Sequence, residues 1–224
     1  MIRNIISLAV VPLLFSQVCW ASPTGLNNIP TTDVAGHKVL VLQSWLTTGN
    51  DAKPVWVTGF KQGILDKIEV GADGKVGSGD EGPVALQAKA KLIDLDSGFA
   101  GLVGIEGITF EGNIDKDMVP YLTVSQDIRL NDDFQIVRLH GGYSFQDDNL
   151  SMFTGADRTF EVFDQDLVLR SDLKQVNDGN NLLISGGFLL TLPFNVVLES
   201  WLNIPTESGK EESVTIKLNY VFNF

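Results

Sequence analysis

The groups in this chain best placed to do chemistry are charges set at every second position. Lys67 and Glu69, Lys89 and Lys91, Asp127 and Arg129, Arg138 and His140, and Arg170, Asp172 and Lys174 are spaced this way, and Glu199 and Lys217 fall singly in similar segments. A period of two is that of a β-strand, so each set projects from one face of a sheet. If the segments on either side of Asp132 pair, Asp127 comes opposite Arg138 and Ser125 opposite His140. Such a face can hold cross-strand ion pairs, or it can line a charged path for small solutes. Lys67, Lys89, Lys91, Arg129, Arg138, Arg170, Lys174 and Lys217 outnumber Glu69, Glu106, Asp127, Asp166, Asp172 and Glu199 there, and that surplus favours anions.

Nucleophilic and metal chemistry have little to build on. There are two histidines and one cysteine. Ser144 shares a strand with His140 but stands about four rises of 3.3 Å away, too far for a hydrogen bond. His37 begins the first strand. Asp73-Gly74 and Asp80-Glu81 fall short of a calcium-loop pattern, and the residues imply no cofactor. A formal charge of -12 argues against a nucleic-acid partner.

The elements that must carry these side chains are strands. Alternation and turn residues place them at 37–48, 54–61, 65–71, 84–94, 99–110, 120–130, 134–145, 150–160, 166–175, 181–191, 194–204 and 212–224, about twelve, with a count of ten also accommodated. Leu122, Val124, Ile128 and Leu130 oppose Tyr121, Thr123, Ser125, Asp127 and Arg129, the split that lipid outside and a polar lumen inside require. Trp45 and Trp201 fall on the inward parity, where packing is expected of them. Connections alternate between longer and shorter. The longer ones are acidic, with Asp51, Asp73, Asp80, Glu81, Glu111, Asp115, Asp117, Asp147, Asp148, Asp178, Glu207, Glu211 and Glu212. Residues 179–198 lack charge, but Gly186, Gly187 and Pro193 break them into a hairpin instead of a spanning helix.

The two ends complete the pattern. Arg3, the apolar run Ile5 to Phe15, and Cys19-Trp20-Ala21 before Ser22 have the layout of a cleaved export signal, residues 1–21, whose removal would take away the only cysteine. Residues 22–36 contain Pro23, Gly25, Asn27, Asn28 and Pro30, so they are expected as a periplasmic lead-in or a short inward-folded plug ahead of a barrel at 37–224. At the other end Val214, Ile216, Leu218, Tyr220, Phe222 and Phe224 share one face. A final strand closing on spaced aromatics resembles the C-terminal signature of bacterial outer-membrane β-barrel proteins, of the small porin-like class.

That resemblance implies a closed antiparallel transmembrane β-barrel in the outer membrane of a Gram-negative bacterium. It also implies contact with outer-membrane lipid and lipopolysaccharide, and delivery to the barrel-assembly machinery through Tyr220, Phe222 and Phe224. The function expected is a passive channel for small solutes. The alternative is a closed structural or adhesion barrel with a salt-bridged lumen and acidic external loops. An outer-membrane lipase or protease is the distant third: a lipase would need a lipid-facing histidine beside a serine, and an omptin-like protease a histidine near Asp147-Asp148. Neither is present in this pattern, so no catalytic residue and no metal site is assigned.

Overall fold

The computed structural model describes residues 25–49, 53–76, 84–109, 118–131, 134–146, 149–176 and 181–224. The expected export signal and most of the acidic loop residues, Asp147 and Asp148 among them, lie outside the described residues.

Among the described residues twelve strands form: β1 (Val39–Gly49), β2 (Val55–Leu65), β3 (Ile68–Lys75), β4 (Ala85–Asp94), β5 (Phe99–Ile108), β6 (Val119–Asn131), β7 (Phe134–Gln146), β8 (Asn149–Val162), β9 (Gln165–Val176), β10 (Asn181–Leu192), β11 (Val196–Pro205) and β12 (Ser213–Asn223). Each pairs antiparallel with its sequence neighbours, and β1 closes on β12 from Val39↔Asn223 to Gly49↔Ser213. Closure leaves no open edge, so the ladder satisfies its own backbone groups in surroundings without water. The alternation read in the sequence becomes two surfaces. Val214, Ile216, Leu218, Tyr220 and Phe222 are exposed outward, while Thr215, Asn219 and Val221 between them are buried inside. Tyr220 and Phe222 meet edge to face at 4.5 Å between ring centroids.

The strand ends flanking the intervals 66–67, 95–98, 132–133, 163–164 and 193–195 lie at one end of the barrel, and those flanking 50–54, 76–84, 109–118, 147–148, 177–180 and 206–212 at the other. Long and short alternate except at 147–148, which is as brief as the turns on either side of it. Phe163 and Asp164 both take positive φ (53° and 59°), as a two-residue hairpin of the primed type requires.

The β2–β3 hairpin departs from the expectation at its turn and at the far end of β3, which runs to Lys75 and not 71. The second turn was placed at 62–64, but β2 runs on to Leu65 and the chain reverses at Asp66 and Lys67. Gly63 resembles a turn residue and is a strand residue; the reason is given below.

The interior is not uniformly polar, as a lumen lined by alternating polar residues would be. At the short-turn end Val39, Val41, Leu189, Val197 and Val221 pack into an apolar cluster around Ala35. Ala35 belongs to a segment, residues 25–38, that makes no strand and lies within the barrel.

Candidate functional site

Residues 25–38 enter at the short-turn end, where Lys38 donates its N–H to the Gly63 carbonyl and accepts from the N–H of Phe224. The segment then rises through the lumen, making contacts with wall strands as it goes. The Ala35 N–H donates to Glu69 Oε2 at 2.6 Å. Arg138 donates to Asp33 Oδ1 at 2.8 Å and to Thr32 Oγ1 at 3.0 Å. Thr123 donates its hydroxyl to the Pro30 carbonyl at 3.3 Å, and Arg170 donates to the Gly25 carbonyl at 3.1 Å. Asn28 has three partners: its amide side chain donates to Ser185 Oγ and to Asn203 Oδ1 at 2.7 Å, and its backbone N–H to Asp172 Oδ2 at 3.3 Å. Prolines and paired asparagines keep this stretch out of the ladder, so its polar backbone must be satisfied by side chains.

Inward glycines make the room. A Cβ on Gly63 would overlap the carbonyl oxygens of Ala35 and Gly36, and one on Gly155 would overlap the side chains of Leu26 and Ile29. Leu26 and Ile29 in turn pack on Phe153. Gly63 is therefore a seat for the lumen segment and not a turn. A glycine at a close backbone approach carries the same sequence signal as one in a turn.

Among the described residues, three groups of linked charges lie inside. Glu199 accepts from Arg170, from Lys217 at 3.3 Å and from Asn219 at 2.6 Å, and is 2% exposed. Glu69 joins Lys89 at 3.6 Å to the lumen segment at Ala35. Asp127 binds Arg129 at 2.7 Å and Arg138 at 3.5 Å, and through Arg138 reaches Asp33. Burial alone would raise the Asp33 carboxyl, but the facing guanidinium of Arg138 outweighs it and holds the group below its usual range.

The observed register sets Ser125 against His140 and Asp127 against Arg138, as pairing about Asp132 requires. Ser125 Oγ lies 2.6 Å from His140 Nδ1, and His140 Nε2 lies 2.7 Å from Asp157 Oδ2. The three residue types are those of a hydrolytic relay, with the two ring nitrogens in exchanged roles. The serine is buried at 2% exposure and the imidazole lies wholly inside, so no substrate carbonyl can reach the hydroxyl. The relay acts here as a strut joining β6, β7 and β8.

Placement of the remaining expected lumen residues is mixed. Lys89, Arg138, His140, Arg170, Glu199 and Lys217 point inward. Arg129 stands near the short-turn rim, and Lys91 near the same end binds Asp94 at 3.3 Å. Lys67 is a correction: it is exposed in the β2–β3 turn. Sequence reasoning missed Lys61, Asp73 and Asp157. Asp73 was assigned to a loop, yet β3 carries it into the lumen, where Gln43 and Gln87 donate to its carboxylate. With Asp73, Asp157 and Asp33 inside and Lys67 outside, the expected surplus of lysine and arginine disappears.

Beyond the top of the lumen segment, toward the long-connection end, lies a cavity of about 390 Å³. Its floor is residues 25–30, and its walls include Trp45, Trp201, Tyr121, Lys61, Lys89, Lys217, Asp73 and Glu106. Lys217 stands 5.7 Å above the Trp45 ring. Trp201 Nε1, Gln43 Oε1 and both amide atoms of Asn27 are buried along this cavity and bond to no other protein group.

No family model matches this chain, and no curated protein matches it by sequence. By fold it is similar to solved porins. A structure described as "KdgM porin" superposes with TM-score 0.57 at 9% identity, over 83% of this chain and 99% of that one. A structure described as "NanC porin" superposes with TM-score 0.53 at 11% identity, over 81% and 98%. The shared property is a closed twelve-stranded antiparallel barrel of porin type.

Proposed function

We propose that the protein is an outer-membrane channel of a Gram-negative bacterium, admitting small solutes through a lumen gated by residues 25–38. The outward wall is apolar and the ladder closed, which suits it to hydrocarbon. The short turns and the entry point of the lumen segment then face the periplasm and the long connections face outside. Tyr220, Phe222 and Phe224 are outward at the periplasmic end, where the barrel-assembly machinery would read them. Lipopolysaccharide would surround the opposite rim.

One observation carries the gating. Among the described residues, 25–35 make no backbone-to-backbone bond to any strand; they are held by side chains and by glycine seats. Residues 25–35 can therefore leave the lumen without opening a single rung of the barrel. Anion preference, where the channel has one, would arise at the outer cavity, where Lys61, Lys89 and Lys217 meet Asp73 and Glu106. Catalysis forms no part of this reading, because the Ser125–His140–Asp157 relay is enclosed.

The rival is a closed structural or adhesion barrel, favoured by the burial of Glu69 and Glu199 with their cations. Single-channel recording of the refolded protein in planar bilayers separates the two. Brief openings in the native chain and sustained ones in a variant lacking residues 25–35 support the gated channel. Silence from both, with normal heat-modifiable migration, supports the closed barrel.

A further inference from the structure

Among the described residues, Arg158 is the one lysine, arginine, aspartate or glutamate on the lipid-facing parity of a strand away from the strand ends. Its neighbours on that parity of β8 are Met152, Thr154, Ala156 and Phe160, while Asp157 beside it turns inward to His140. A cation facing hydrocarbon is costly, and the cost is escaped when the side chain bends toward headgroup level. Arg158 does bend: its guanidinium carbon lies 4.7 Å over the ring of Phe160, two residues nearer the periplasmic turn. The same stretch of wall is hollow. A shallow depression of about 360 Å³ is lined by Val137, Ala156, Arg158, Leu169 and Ser171, together with Asp157, Arg170 and Gly187. Ser171 stands on one rung with Ala156 and Gly186, and Gly186 has nothing within 4 Å of the place a side chain would fill.

We propose that this hollow is a binding site for one phospholipid of the periplasmic leaflet. The lipid phosphate meets the Arg158 guanidinium, whose planar fork suits phosphate oxygens, and an acyl chain lies along the trough of Ala156, Ser171 and Gly186. Charge complementarity selects the occupant, since a second barrel copy would bring an equal cation to the same point of a twofold contact. The site depends on the wall facing lipid and not on the lumen conducting.

The test is native mass spectrometry of the full protein, released from mild detergent after incubation with phosphatidylglycerol. The native chain is expected to retain one lipid. Arg158→Leu, which suits the apolar wall, and Ser171→Phe, which fills the trough, should each lower retention at least tenfold, with heat-modifiable migration unchanged. Arg158→Lys should retain more than Arg158→Leu. Equal retention by the native chain and Arg158→Leu overturns the proposal. So does a native chain that retains no lipid, or one that forms dimers through this face in place of holding lipid.

Discussion

The carboxylate of Asp33 and the guanidinium of Arg138 meet at 2.8 Å inside the barrel, joining a segment without regular structure to the middle of a wall strand. Arg138 also donates to Thr32 of the same segment, and on the wall side it contacts Asp127 of β6 at 3.5 Å, a partner it keeps whether or not the lumen segment is in place. The pair is therefore a latch with one rigid half.

Removing the charge from the moving half should loosen it. Hydrogen bonds to charged groups contribute about 1.5–3 kcal/mol, so Asp33→Asn is expected to raise the population with the lumen vacated by about tenfold or more. Open probability in planar bilayers measures it. An Asp33→Asn channel that gates like the native one would remove the latch from the account.

Acid should act through the same carboxylate. Its folded value is depressed below the ordinary 3.8, so its stabilisation is fully present above that value and is lost as pH falls through the lower folded one. Conductance of the native protein is expected to stay flat from neutral pH to about 4 and to rise only in stronger acid. Asp33→Asn should abolish that rise.

Gly63 offers a steric counterpart. The nearest atoms a side chain there would meet are those of Gly36 and Ala35, which belong to the segment and not to the wall. Gly63→Val is expected to drive residues 25–36 out of their seat while the twelve strands still form. Faster protease cleavage within 25–36, alongside unchanged heat-modifiable migration, would register the release.

Lys61 and Lys91 separate the outer cavity from the periplasmic rim. Lys61 lines the cavity, whereas Lys91 stands near the rim beside Asp94. Lys61→Gln should move the reversal potential under a salt gradient toward cation preference, and Lys91→Gln should move it less. The reverse order would place the selective region at the periplasmic end.

Glu199 tests stability in place of transport. It is buried between Arg170, Lys217 and Asn219. Glu199→Ala leaves two cations uncompensated and is expected to cost about 3–5 kcal/mol, where Glu199→Gln should cost less. The midpoint of urea unfolding in detergent reads the difference.

How far the sequence could be read depended on how unlike the two sides of each strand are. β12 was legible at single-residue level because its outward side is wholly apolar and its inward side carries Thr215, Lys217 and Asn219. The Ser125–His140 register was legible because the reversal about Asp132 is so short. β3 was not: Gly71, Ala72 and Gly74 give neither side a character, so Asp73 read as loop. In β8, Asp157 and Arg158 put opposite charges on opposite sides, and the inward member was hidden by its neighbour. The lumen segment could be excluded from the ladder by its prolines, but its seat could not be found. Its partners Glu69, Arg138, Asp172, Ser185 and Asn203 come from five strands, and no local pattern joins them.

The seam between β1 and β12 sets an order of assembly. Val39 and Asn223 lie at opposite ends of the described chain, so their rung joins positions far apart in sequence and must form late. Most of the anchors of residues 25–38 lie on β6 to β11, strands made long after the segment itself. If the segment docks only once these strands are paired, it has to wait beside a half-built wall. If the seam zips before the segment is inside, its way in is the narrow periplasmic mouth. In the gated-channel reading, the timing of closure would then decide whether a newly made molecule starts its working life stoppered or open.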